Sequence, residues 1–311
     1  MHAILIPFAL LVGGLLAVQA GANLQLSTAV GSPVGASTLQ LAIGAALLTA
    51  LAALVGTLAA VDLLPAAEPW HLLGGLGSAI YITAGILLFP RLGALVSTGL
   101  FVTGQMLASL VLDSLGLLGV ERTGLDPTAV AGALTMVAGI LLVVRAQAGP
   151  STPLAGRGAG RRAGWLLLGL LAGAALPLQG AVNAQLRADL EAPVTVGAFS
   201  FVIATTTMTA VLLSLLALRR APRPRVAPLR GLPWWGWLGG FVGATYVVAV
   251  FLLIPQIGAA ATVGLTVAGQ QLASLLVDHL GLLRLPRRPL TRARLAGVAL
   301  LLVGVALIQV S

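Results

Sequence analysis

The chain has 311 residues, of which 59% are hydrophobic and 8% are charged, and its mean hydropathy is +1.06. Soluble domains carry about 25% charged residues, so this composition excludes an ordinary soluble protein and indicates a membrane protein. The net charge of +9 comes from arginine alone, because the chain has no lysine, and the absence of cysteine excludes disulfides and thiolate chemistry.

Ten apolar segments follow one another along the chain, each close to or above the roughly 17 to 25 residues that cross a bilayer as an α-helix. The predicted spans are 4–26, 33–58, 71–89, 92–118 and 128–144, then 165–186, 193–218, 233–254, 257–283 and 293–310. The first lacks the basic region of a secretory signal peptide, so we interpret it as a retained helix. Residues 146–164, rich in Gly, Pro and Arg, are predicted to be a linker.

The second five spans repeat the first five. Residues 104–118 (GQMLASLVLDSLGLL) and 269–283 (GQQLASLLVDHLGLL) agree at 11 of 15 positions, at an offset of 165. Nearer the N-terminus the offset is 160, which aligns Gln19 and Asn23 with Gln179 and Asn183. We therefore predict a first five-helix repeat over 1–145 and a second over 165–311.

The arginines predict how the two repeats are oriented. Because five spans is an odd number, the second repeat must enter the membrane in the opposite sense from the first. Of the 17 arginines, 15 fall in loops on the side away from the N-terminus, and only Arg122 and Arg187 fall on the other side. The positive-inside rule then places both termini outside and the linker 146–164 in the cytoplasm. The predicted fold is an all-α polytopic membrane protein with ten transmembrane helices in two inverted five-helix repeats.

The same distribution bears on partners. Clustered arginines can bind nucleic acid, but here their confinement to alternate loops is typical of topology signals that also contact anionic lipid. We therefore expect membrane lipid, and no nucleic acid, as a partner.

Polar side chains within the spans are costly in hydrocarbon and indicate where function lies. Gln19 and Asn23 are four residues apart and share one helix face, as do their mates in the second repeat. One interpretation is hydrogen bonding between helices; the other is a polar cavity near the midplane, where such transporters bind substrate. The second interpretation predicts these substrate-binding residues: Gln19, Asn23, Tyr81, Gln105, Gln179, Asn183, Tyr246, Gln270 and Gln271.

Two carboxylates lie near the ends of their spans. Asp113 and Asp278 are repeat mates, each five residues before the end of its apolar segment. One interpretation is an ion pair with a loop arginine such as Arg122 or Arg284, and the other is a protonatable group that couples transport to an ion. The three histidines lie at span ends or at the interface without the spacing of metal ligands, so no metal or cofactor is predicted.

The motif Q-x3-N-x-Q in the first span, the Pro-led second span and the repeated GQxLASLxxDxLGLL resemble the YdcZ-type branch of the drug/metabolite transporter (DMT) superfamily in its fused two-repeat form. The resemblance covers essentially the whole chain. It implies an inner-membrane transporter whose first, third and fourth spans in each half line a central cavity. Small multidrug-resistance relatives carry a proton-binding glutamate in the first span. This chain has no acidic residue in predicted spans one and six, which argues against proton-coupled cation antiport by that route.

Together these features predict a secondary transporter, an exporter of a small neutral or zwitterionic organic solute that works by alternating access. A membrane scaffold or assembly subunit, in which the polar residues only join helices, is the alternative. No catalytic motif is present, so we do not expect an enzyme. A monomer is expected to suffice because one chain holds both repeats, with a homodimer as the alternative.

Overall fold

The structure is a computed structural model that describes the backbone of residues 2–124, 126–146 and 159–310. Most of the predicted linker lies outside these residues. The first repeat contributes five helices: α1 (His2–Val30), α2 (Pro33–Leu54), α3 (Gly75–Leu92), α4 (Ala94–Leu115) and α5 (Pro127–Ala146). The second contributes α6 (Ala159–Leu190), α7 (Pro193–Ala217), α8 (Leu238–Ile257), α9 (Ala259–Leu280) and α10 (Arg292–Gln309). Within the described residues, nine of them, all but α9, are long and apolar enough to cross a membrane by length and composition. The predicted all-α, ten-helix fold is confirmed.

Several predicted helix ends were wrong, and local chemistry explains them. The fourth and ninth spans were predicted to reach 118 and 283, but their helices end before Gly116 and Gly281, whose φ angles of 65° and 67° favour glycine. The third span was predicted to begin at His71, and this residue does lie within the candidate span Pro69–Leu92, in a short 3-10 helix, Pro69–Leu73, that precedes α3. The sixth span was predicted to end at residue 186, but α6 continues to Leu190.

Equivalent helices of the two repeats pack against each other in antiparallel pairs. In α2 and α7, Gly44 contacts Phe201 and Leu48 contacts Gly197, so the contact moves back along α7 as it moves forward along α2. In α5 and α10, a Cβ on Gly132 would lie 2.8 Å from the carbonyl oxygen of Gly304. Gly139 contacts Gly297 in the same way, so the contact moves back along α10 as it moves forward along α5. Antiparallel packing of equivalent helices confirms that the repeats are inverted.

The described chain divides into two compact units, and each draws on both repeats. The α5–α10 unit comprises Met1–Ala17, Leu87–Ala174 and Leu252–Ser311, and the α2–α7 unit comprises Val18–Ile86 and Ala175–Phe251. The units therefore differ from the sequence repeats.

In the α5–α10 unit, the first helix of each repeat crosses the fourth helix of the other at a glycine. A Cβ on Gly13 would lie 1.8 Å from the carbonyl oxygen of Thr266, and one on Gly173 would lie 2.1 Å from that of Phe101. These two contacts are repeat mates. The glycines let the two backbones approach closely, which is how small residues pack transmembrane helices.

Candidate functional site

A first polar cluster forms in the α2–α7 unit where α1 meets the start of α8. The Nε2 of Gln19 donates a hydrogen bond to the carbonyl of Gly239 at 3.0 Å. Asn23 lies beside the same glycine, and a Cβ on Gly239 would come within 1.8 Å of the Asn23 Oδ1. Both side chains are buried, with exposed fractions of 5% and 3%. Position 239 must be glycine for the Asn23 amide to lie against the α8 backbone.

Gln40, from α2, completes this first cluster. Its Nε2 donates to the carbonyl of Gly236 at 3.3 Å, and its Oε1 accepts a hydrogen bond from the N–H of Gly240. That N–H group lies in the first turn of α8, where backbone N–H groups have no hydrogen-bond partner within their own helix. Gln40 therefore acts as a cap supplied by a different helix, and it fixes the position at which α8 begins.

A second polar cluster repeats the arrangement where α6 meets the start of α3. The Oγ of Ser78 donates to Oε1 of Gln179 at 2.9 Å, and the Oγ of Ser200 donates to Oδ1 of Asn183 at 3.0 Å. A Cβ on Gly74, the repeat mate of Gly239, would lie 2.0 Å from Oδ1 of Asn183. Each asparagine thus faces a glycine at the start of a helix from the other repeat.

The two clusters differ in how well their polar atoms are satisfied. Ser200 occupies the place that Gln40 has in the first cluster, and it satisfies the carboxamide oxygen of Asn183. The equivalent oxygen of Asn23 is buried and has no hydrogen-bond partner among the described residues. The residues that define the clusters are amides and hydroxyls, and none is charged.

Both clusters lie near the midpoint of the antiparallel α2–α7 pair. The register of Gly44 on Phe201 and of Leu48 on Gly197 places Ser200 opposite a point about five residues beyond Gln40 along α2. At a rise of 1.5 Å per residue, that is a separation of roughly 7 Å along the helix axes. The clusters therefore lie on either side of the midpoint, within the length of a small organic molecule.

The remaining predicted substrate-binding residues fall in two groups. Tyr81 and Tyr246 belong to the α2–α7 unit and are half-buried, and Tyr81 packs on its apolar core. Gln105, Gln270 and Gln271 belong to the α5–α10 unit. Gln271 is fully buried, and neither atom of its amide has a hydrogen-bond partner in the described part of the chain.

Asp278 forms a buried ion pair in the α5–α10 unit. Its carboxylate lies 2.6 Å from Nη2 of Arg294 and 3.9 Å from Nη1 of Arg288. It also accepts hydrogen bonds from the N–H groups of Ala94 at 2.9 Å and Leu95 at 3.3 Å, which begin α4. One carboxylate thus joins the end of α9, the start of α4 and the start of α10. This geometry matches the ion-pair interpretation of Asp278.

Arg288 is held tightly in this arrangement. A Cβ on Gly93, whose φ is +85°, would collide with the Arg288 guanidinium. Burial lowers the pKa of Arg288 while the carboxylate of Asp278 opposes that shift. Arginine nevertheless stays protonated in proteins, so Arg288 supplies a permanent positive charge beside Asp278.

Asp113, the repeat mate of Asp278, has a different environment. It is half-buried, and among the described residues it makes no ion pair. Arg122, one expected partner, instead donates its Nε to the carbonyl of Ser114 at 3.1 Å. The positions equivalent to Arg288 and Arg294 are Thr123 and Ala129. The second repeat therefore has a charge network that the first cannot form.

Sequence reasoning missed several of these groups. Gln40 is a polar residue inside a span, but the repeat does not predict its role because its repeat mate, Ser200, is of a different type. His71 was predicted only to lie at a span end without the spacing of metal ligands, and its Nδ1 lies 2.5 Å from Oδ2 of Asp189. The sequence contains no pattern that links these two residues across 118 positions.

Comparisons with known proteins agree with this architecture. The sequence profile of a family described as "Putative inner membrane exporter, YdcZ" matches residues 4–142 and again residues 164–307, one match for each repeat. No curated protein matches the chain. A solved crystal structure aligns over 96% of this chain and 95% of its own, with a TM-score of 0.55 and 23% sequence identity. At that identity the alignment shows a shared fold and says nothing about function.

Proposed function

We propose, from the premise that the chain belongs to the YdcZ family of inner-membrane exporters, that it exports a small neutral or zwitterionic organic solute by alternating access. The protein is a multi-pass protein of the inner membrane. In the proposal both termini face outward, and the arginine-rich loops face the cytoplasm.

The unpaired oxygen of Asn23 is the observation that carries this proposal. A buried polar atom without a partner costs about 1–3 kcal/mol. A hydrogen bond between transmembrane helices contributes only about 0.6 kcal/mol on average. If the polar residues served only to join helices, an unsatisfied Asn23 would be a net loss. A solute that donates a hydrogen bond to this oxygen would satisfy it, and the scaffold alternative provides no such donor.

The composition of the two clusters limits the chemistry of the solute. Their side chains are the amides of Gln19, Asn23, Gln40, Gln179 and Asn183 and the hydroxyls of Ser78 and Ser200. A bare ion would need a counter-charge to leave water, and neither cluster offers one. Amides and hydroxyls suit a molecule with N–H, O–H and carbonyl groups and no net charge.

The inverted repeats supply a mechanism. Alternating access in such folds exchanges the conformations of two structurally related halves around a fixed site. The first cluster lies nearer the N-terminal end of α2, which the proposed topology places on the arginine-rich side of the membrane. The second cluster lies on the other side of the midpoint. We propose that the solute binds first at Asn23 and leaves past Asn183. The present structure then has Asn183 satisfied by Ser200 and Asn23 awaiting a donor.

Transport by purified protein in proteoliposomes tests the proposal, with a panel of radiolabelled neutral and zwitterionic metabolites. We expect at least one solute to move, and we expect Asn23→Ala to lower its flux about tenfold, since the lost hydrogen bond is worth roughly 1–2 kcal/mol. Thr135→Ala is the matched control, because this exposed hydroxyl bonds only the carbonyl of Ala131 in its own helix. Full activity in Asn23→Ala would refute the role given to Asn23, and no flux of any solute in the panel would favour the scaffold alternative.

A further inference from the structure

A buried histidine and a carboxylate form a pair near the second polar cluster that the proposed transport steps do not use. His71 has an exposed fraction of 8%, and its Nδ1 lies 2.5 Å from Oδ2 of Asp189. Trp70 contacts the imidazole edge-on, with ring centroids 4.1 Å apart. His71 lies in the 3-10 helix that leads into α3, and Asp189 lies in the last turn of α6.

The elements that carry the pair also contribute to a buried apolar cluster. Leu186, Leu190 and Val196 are buried there, and Leu64 and Leu72 from the α2–α3 connection pack against them. The charged residues on the surrounding elements are all exposed: Asp62 and Glu68 on the α2–α3 connection, and Arg187 and Glu191 at the end of α6. The first turn of α7 carries no charge. Asp189 is itself more exposed than His71, with side-chain exposures of 31% and 9%. The protonation state of His71 therefore decides whether the pair is neutral overall or carries one negative charge.

The pair exists in only one repeat and lies at the same helix junction as the second cluster. Its repeat mates are Gly236 and Ala29, which cannot titrate. His71 comes three residues before Gly74, and Asp189 comes six residues after Asn183 on α6. Because Gly74 lies against Asn183, the pair and the solute contacts depend on the same approach of α3 to α6.

We propose that His71 and Asp189 form a proton-binding site, and that an external proton and a solute at the second cluster exclude each other. The inference rests on the proposed function and extends it. A proton taken from external water adds to the neutral imidazole, which becomes an imidazolium paired with the carboxylate. The positive charge of the imidazolium attracts the carboxylate more strongly than the neutral imidazole does, so the proton draws the start of α3 onto α6. That motion closes the space around Asn183 and releases the solute. By linkage, a bound solute lowers the proton affinity by the same factor.

The titration itself can be measured without a solute, because Trp70 is a built-in reporter. Replacing the other four tryptophans (Trp165, Trp234, Trp235 and Trp237) with phenylalanine leaves Trp70 as the only indole. We expect its fluorescence to fall in one step as the pH is lowered, since an imidazolium quenches a neighbouring indole. We expect His71→Asn, which keeps a hydrogen-bonding group of similar size, to abolish the step. A step that survives in His71→Asn would overturn the assignment.

The linkage to the second cluster can be measured with a thiol, because the chain has no cysteine. Ser78→Cys places one thiol at Gln179, and its maleimide labelling rate reports whether the α3–α6 junction is open. Dividing this rate by the rate in the Ser78→Cys/His71→Asn double variant cancels the ionisation of the thiol itself. We expect the ratio to fall about fivefold or more between pH 8 and pH 5, at the lower end of typical coupling between sites.

A ratio that does not change with pH would overturn the inference. Neither measurement uses a solute, so this failure would leave the proposed export intact. Conversely, an absence of solute flux in proteoliposomes would refute export while the fluorescence titration still reported the proton site.

Discussion

The repeat mates Asp113 and Asp278 allow one carboxylate to serve as the control for the other. Asp278 has a side-chain exposure of 1% and pairs with Arg294, whose exposure is 3%. Asp113 is half-buried and makes no ion pair within the described residues. Asp278→Asn and Asp113→Asn make the same chemical change on equivalent turns of equivalent helices, so a difference between them measures the environment.

The size of the difference follows from the buried charge left behind. Removing one partner of a buried ion pair costs about 3–5 kcal/mol, because the other charge stays buried without compensation. In Asp278→Asn that charge is mainly Arg294, and the N–H groups of Ala94 and Leu95 also lose an anionic acceptor. Substitution of a partly exposed, unpaired carboxylate usually changes the free energy of unfolding by about 0.5 kcal/mol or less. We expect the two variants to differ by roughly 3 kcal/mol or more.

Thermal unfolding in detergent, followed by intrinsic fluorescence, is the assay. At roughly 2–4 °C per kcal/mol for chains of 150–250 residues, Asp278→Asn should unfold on the order of 10 °C below both Asp113→Asn and the unsubstituted protein. The double variant Asp278→Leu/Arg294→Met should recover most of the loss, since an apolar pair of similar volume often replaces a buried ion pair without cost. Equal melting temperatures for the two single variants would refute the reasoning, and so would a double variant less stable than Asp278→Asn.

Two further predictions follow from the packing and the topology. Gly13→Ala and Gly173→Ala should each destabilise the protein by about 1–3 kcal/mol, because the new methyl group meets a backbone carbonyl of another helix. Gly180→Ala is the control, since no atom lies within 4 Å of a Cβ at that position. It should be neutral or mildly stabilising in the same melting assay. Single cysteines at Glu121 and Arg223 should react with a membrane-impermeant maleimide from opposite sides, Glu121 in intact cells and Arg223 only after lysis, and the reverse pattern would invert the proposed topology.

The architecture could be predicted because the duplication presents each element twice. The offset of 165 that aligns the GQxLASLxxDxLGLL motifs also aligns the Gly132/Gly139 pair with Gly297/Gly304, and the structure packs these glycines against each other across α5 and α10. An odd number of spans per repeat then required inversion. The ends of helices were less predictable, since apolar residues continue past Gly116 and only its left-handed backbone conformation ends α4.

The polar sites could be predicted only as far as the residues that recur in both repeats. Gln19 and Asn23 were found because Gln179 and Asn183 repeat them, but the sequence gives no indication that Gln19 bonds Gly239, which is 220 positions away. From hydropathy alone, Gly239 would be predicted only to pack against a neighbouring helix. Its role appears only when the amide of Asn23 is found against its backbone.

The positions at which the repeats differ are the ones that can make the inward-facing and outward-facing states differ in free energy. If the two inverted halves were identical, a two-fold rotation would relate the inward-facing and outward-facing states. The two states would then have equal free energy, and nothing in the protein would favour one of them. Gln40 in place of Ser200, the arginines around Asp278, and the His71–Asp189 pair each break that equivalence. The arginines are permanent charges, so Asp278 biases the two states by a constant amount. His71 is the proton acceptor proposed above, so its contribution is the one that an external proton can alter.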